Sequence, residues 1–140
     1  MIVYFDTSAI IPLIIDEPGS PLCERFWNDA TQAVSSRLLY VEARAALARA
    51  QRLGRLSLDD SAASVESLDE IASEIASVEV TEGLVRTAGR LAEEEGLRGY
   101  DAVHLAAALA VAGTDTVFIS GDQELLAAAA RLEFAVAQAG

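Results

Sequence analysis

Short strand-like runs alternate with helix-like stretches from one end of this chain to the other. Ile2–Phe5, Gln32–Ser36, Val78–Val80, Asp115–Ser120 and Phe134–Val136 read as strands. Thr7–Ile14, Pro21–Ala30, Arg37–Leu53, Leu58–Ile75, Glu82–Glu95, Tyr100–Ala112 and Gln123–Leu132 read as helices, several closed by a glycine such as Gly54 or Gly96. Such alternation builds βαβ units and hence a parallel sheet. Right-handed crossovers then place helices on both of its faces. The predicted fold is a single α/β domain over residues 1–140, with four or five parallel strands.

That topology has a chemical consequence. The C-terminal ends of parallel strands share one edge, where the N-termini of the returning helices also lie and where ligands bind. Four acids fall there. Asp6 ends the first strand, Asp122 follows "TVFIS", Asp101 opens the helix "YDAVHLAAALA", and Glu42 lies early in the helix after "AVSS". Each of the three aspartates has a plainer explanation as a helix cap or a first-turn acid. In "SGDQ", Ser120 and Gln123 already suggest a capping box without Asp122. Glu42 is different. Its neighbours three and four residues away are Leu38, Leu39, Ala45 and Ala46, so it has no basic partner on its own helix. A carboxylate half-buried among Leu and Ala needs a cation, from an Arg elsewhere or from a metal.

Read together, the four carboxylates form an acidic pocket that a divalent ion would relieve. Oxygen ligands, a single His and no cysteine cluster favour Mg²⁺, with Mn²⁺ as substitute, over Zn²⁺. Such an ion activates water and neutralises phosphate charge, which is the equipment of phosphodiester hydrolysis. Thr7, Ser8 and Ser120 are candidates to position water or a phosphate oxygen, with helix capping as the other reading of each.

Composition closes off other chemistries. All ten basic residues are Arg. A Walker P-loop, a Schiff-base enzyme or a receiver domain would need Lys. The lone Cys23 allows no intrachain disulfide and reads as a buried thiol. No apolar run approaches the roughly 18 residues of a membrane span, and the start lacks the basic region of a signal peptide, so a cytoplasmic protein with no membrane partner is expected. The net charge of −12 opposes non-specific binding to a polyanion. The charge is unevenly spread, however: Arg37, Arg44, Arg49, Arg52 and Arg55 face Glu42 alone between residues 37 and 58. That segment is a candidate track for RNA or a partner surface, and otherwise an ordinary solvated helix face.

The fragments "VYFDTSAIIPLIIDEPGS", "LLYVEARAALARA", "LRGYDAVHLAAALA" and "VFISGDQEL" together resemble the PIN-domain ribonucleases, in particular the VapC-type toxins of toxin–antitoxin pairs. The resemblance spans nearly the whole chain. It implies a Mg²⁺-dependent endoribonuclease whose first to fourth carboxylates are Asp6, Glu42, Asp101 and Asp122, with Asp6 and Asp101 as principal metal ligands. Ser120 stands where Thr is frequent in that family. The resemblance further implies an RNA substrate, a small antitoxin that blocks the site, a homodimer, toxin–antitoxin hetero-oligomers, and DNA contact only through the antitoxin.

Two other readings share part of this pattern. A haloacid-dehalogenase phosphatase would need an Asp where Ser8 stands, and a Lys. A non-catalytic module of the same fold would dock a protein partner and use the acids as caps and Arg partners. His104, three residues from Asp101, reads as a partly buried His bonded to Asp101 or to backbone.

Overall fold

The computed structural model describes all 140 residues. Strands β1 (Ile2–Phe5), β2 (Gln32–Ser36), β3 (Ala76–Val78), β4 (Thr116–Ser120) and β5 (Ala135–Gln138) form one sheet in the order β3-β2-β1-β4-β5. Every pairing is parallel. The connecting helices are α1 (Thr7–Ile14), α2 (Ser20–Asp29), α3 (Leu39–Arg52), α4 (Leu58–Glu74), α5 (Glu82–Glu95), α6 (Gly99–Val111) and α7 (Gln123–Arg131). No helix is long and apolar enough to cross a membrane. The strand order reverses between β1 and β4, so the crevice of this fold opens at the ends of those two strands.

The apolar run of β1 is explained by burial on both faces. Alternation sends Val3 and Phe5 to one side and Tyr4 to the other. Val3 and Phe5 join Ala9, Ile10, Cys23, Leu39, Leu47 and Leu68 in a core under α1 to α4. Tyr4 joins Leu84, Leu91, Leu105, Phe118 and Leu125 in a core under α5 to α7. Tyr4 stacks on Phe118 with ring centroids 5.2 Å apart, which fixes its ring against β4.

Three elements differ from the sequence expectation by two residues at an end, the others by one at most. Helix α3 begins at Leu39 rather than Arg37. The Arg37 N–H donates to Val78 O and the Leu38 N–H to Ser36 Oγ, which ties residues 37 and 38 to the sheet edge. Strand β3 is Ala76–Val78 rather than Val78–Val80, because α4 stops at Glu74 and Ile75 is already extended. Strand β5 is Ala135–Gln138 rather than Phe134–Val136. Phe134 packs into the core under α7 instead, after a left-handed Glu133 with φ 70°. Cys23 is fully buried, as expected.

Gly19 is needed for space rather than for conformation. A Cβ built on it would lie 1.6 Å from the backbone oxygen of Ala139, and its φ of −80° suits any residue. Ala139 is itself held by its N–H on Ser120 O. Gly19→Ala therefore has to push the end of β5 off α2. The expected loss is about 1–3 kcal/mol, read as a lower urea midpoint.

Candidate metal centre

Asp6 sits at the N-cap position of α1 but does not cap it: no backbone N–H of the helix donates to its carboxylate. Instead Ser8 Oγ donates to Asp6 Oδ2 at 2.6 Å and Ser120 Oγ donates to the same oxygen at 2.9 Å. Each hydroxyl in turn accepts a backbone N–H from the loop after β4, Gly121 for Ser8 and Asp122 for Ser120. The carboxylate is thus 6% exposed and locked in orientation across the β1/β4 switch point. Its other oxygen, Oδ1, lies 3.6 Å from His104 Nε2, beyond hydrogen-bond range.

Asp101 lies in the first turn of α6, 8% exposed. Arg98 Nε donates to its Oδ2 at 3.2 Å, and Arg98 Nη2 lies 3.7 Å from Asp122 Oδ2. Burial raises the Asp101 pKa; the Arg98 hydrogen bond opposes this, and the charges of Asp6 and Asp122 add to it.

The side chain that meets Glu42 is a histidine rather than an arginine. His104 Nε2 lies 2.6 Å from Glu42 Oε1, with Thr7 Oγ1 donating to that oxygen at 3.0 Å. His104 Nδ1 lies 2.8 Å from the Tyr4 hydroxyl, and the ring is wholly buried. His104 is bonded to Tyr4 and Glu42, not to Asp101 or to backbone as expected. The reason is rotational: three residues along α6 carry the imidazole over the Tyr4 face of the sheet, towards the start of α3. Burial pushes the imidazole pKa down, but the Glu42 hydrogen bond and the charges of Asp6, Glu42 and Asp101 outweigh it, and the net shift is upward.

A pH dependence follows. A His whose folded pKa is raised stabilises fully below its ordinary value of about 6.5, and that stability is lost as pH climbs through the folded value. In chelator, the urea midpoint is expected to fall as pH rises above the ordinary imidazole value of about 6.5. Glu42→Gln should flatten the fall. The Cys23 thiol, pushed up to about 11 by burial, stays out of this window.

Asp122 behaves as a cap. Its Oδ1 accepts the N–H groups of Glu124 and Leu125 and opens α7. The capping box expected from Ser120 and Gln123 is not formed, because the Ser120 hydroxyl is turned onto Asp6. The four carboxylates therefore share one edge without forming one ligand shell. No three of the His, Cys, Asp and Glu side chains are arranged to hold an ion. Glu42 is turned onto His104, and Asp122 is divided between α7 and Arg98.

The donor set still fits one hard divalent cation. Four carboxylates outnumber the one arginine and one histidine that meet them, so the site is net negative. Asp6 and Asp101 each keep an oxygen that accepts no hydrogen bond. Two carboxylates suffice for Mg²⁺, which retains much of its water shell.

The sequence did not reveal three members of this site: Tyr4, His104 as the partner of Glu42, and Arg98. Tyr4 was the only signal for the first two, a polar tip in an otherwise apolar buried strand.

Comparison with known proteins bears on the family and the fold. A PIN domain model matches residues 3–132. Ribonuclease VapC45 of Mycobacterium tuberculosis is 41% identical over 124 residues, which cover 89% of this chain and 86% of that relative. Among solved structures, PAE2754 from Pyrobaculum aerophilum superposes with a TM-score of 0.68 at 25% identity, over 96% of this chain and 81% of its own. VapBC2 from Rickettsia felis, bound to a DNA fragment from their promoter, superposes with a TM-score of 0.64 at 14% identity. That match covers 99% of this chain and 98% of the other, and it speaks for the fold alone.

Proposed function

This chain belongs to the PIN-domain family, and on that premise we propose that it is a Mg²⁺-dependent endoribonuclease, the toxin of a toxin–antitoxin pair. The observation that carries this is Asp6: a buried carboxylate at a sheet switch point, excused from capping and aimed by two hydroxyls. VapC45, a relative named as a ribonuclease, supports RNA as the substrate. The toxin–antitoxin complex known from Klebsiella pneumoniae has the same fold and makes a small antitoxin the natural partner to test. In this reading the protein works in the cytoplasm, as a homodimer or bound to its antitoxin, and meets DNA only through that partner.

Asp6 and Asp101 would hold the ion, with Glu42 and Asp122 completing the acidic surround. Bound there, Mg²⁺ or Mn²⁺ would activate a water and offset phosphate charge. The chain's own residues do the rest. Ser8 and Ser120 keep Asp6 Oδ2 in place, so that Oδ1, which accepts no hydrogen bond, is fixed in orientation. His104 Nε2 holds Glu42 Oε1, and Glu42 Oε2, which accepts no hydrogen bond, would be free to accept a proton.

Two measurements test the reading in partner-free protein. Thermal stability should rise with Mn²⁺ or Mg²⁺ by mass action, about 2.7 kcal/mol at a hundredfold excess over Kd. Single-stranded RNA should be cut only with metal present. No shift at millimolar metal and no cleavage would instead favour a non-catalytic module that docks a protein partner.

A further inference from the structure

One cation at the site has no structural duty that requires it. Unlike His104, which is wholly buried, the Arg98 side chain is 68% exposed while the carboxylate it grips, Asp101, is buried. The guanidinium reaches down onto Asp101 and across to Asp122. It also lies 5.1 Å from the centroid of the Tyr100 ring, and Tyr100 is itself 48% exposed. A wet guanidinium and a half-bare aromatic ring thus flank the acidic pair, on a chain whose net charge of −12 otherwise repels RNA. Single-stranded RNA is held by this combination elsewhere: a base stacks on an aromatic ring or guanidinium plane, and an arginine takes the phosphate.

We propose that Arg98 and Tyr100 hold the nucleotide beside the scissile phosphate, the guanidinium taking a phosphate oxygen and the phenol ring stacking the base. The proposal rests on the endoribonuclease reading and adds a residue-level account of how substrate is engaged. In the free site Arg98 neutralises Asp101 and Asp122. Once a divalent cation shares Asp101, Arg98 meets a like charge there and its hold weakens. It then needs to swing only from the carboxylate to a phosphate, with its stack on Tyr100 kept. Arg98 therefore competes with the metal and cooperates with RNA.

The test uses full-length protein, Mn²⁺ alone, and a fluorescein-labelled single-stranded RNA of mixed sequence. Arg98→Gln and Tyr100→Leu are each expected to raise KM about tenfold, with kcat within about threefold of wild type, as loss of substrate binding requires. Tyr100→Phe should match wild type, since it keeps the ring. Arg98→Gln should also bind Mn²⁺ severalfold more tightly, which Tyr100→Leu should not. The slope of log Kd for RNA against log salt should fall by about 0.7 in Arg98→Gln, for one lost phosphate contact on a single strand. Unchanged KM and RNA affinity in Arg98→Gln, with wild-type cleavage intact, would overturn this inference and leave the nuclease reading standing. Absence of metal-dependent cleavage by wild type would instead overturn the nuclease reading. In that case the RNA affinities of the same variants decide: a tenfold loss supports the nucleotide site, and no loss removes it.

Discussion

Asp6→Asn is expected to lower RNA cleavage by about a thousandfold while the protein still folds, the scale on which single electrostatic groups at reacting centres act. The fold should survive because an amide oxygen still accepts from Ser8 and Ser120, the two hydroxyls that fix the side chain. What is lost is the negative charge. One of the carboxylate charges at the site disappears, and with it part of what draws a divalent cation. The imidazole of His104 also loses the Asp6 charge that helps to keep it protonated, so its pKa should move down. Cleavage by Asp6→Asn within about tenfold of wild type would mean that the carboxylate is not where the ion is held.

His104→Ala is expected to be the most destabilising single change at the site, by about 3–5 kcal/mol. The imidazole is wholly buried and bonded at both nitrogens, to Tyr4 and to Glu42. Its removal strands a buried phenol and leaves Glu42 with only the Thr7 hydroxyl. Against a total stability of about 5–15 kcal/mol, that loss is a large share. Urea unfolding would read it. A double-mutant cycle with Glu42→Ala should return a coupling above about 1 kcal/mol, whereas additive losses would show that the pair is not an energetic unit.

These two residues also mark how far the sequence could be read. Asp6 was legible because topology gives its address: a carboxylate after the first buried strand of an alternating chain must stand at the ligand-binding edge. The same rule placed Asp101, Glu42 and Asp122 at that edge. It could not say which way their side chains turn. Glu42 visibly lacked a cation, but the cation came from α6, sixty-two residues away, through a contact that no periodicity encodes. Asp122 kept both descriptions open until its Oδ1 was found on two backbone N–H groups. Ser120 carries two sequence readings, a cap or a hydroxyl that positions water or phosphate, but its hydroxyl serves a carboxylate at the end of the neighbouring strand, and only the β1/β4 register brings the two together. Edge strands were the other weak point. β3 and β5 are short, and where they begin depends on where the preceding helix lets go.

The most direct test is equilibrium Mn²⁺ binding by calorimetry to wild type, Asp6→Asn and Asp101→Asn, without RNA or partner. The account predicts one ion per chain for wild type and, for each variant, affinity weaker by about a hundredfold, the upper end of what altered metal-site residues lose. Binding to Asp6→Asn and Asp101→Asn with wild-type affinity would contradict it.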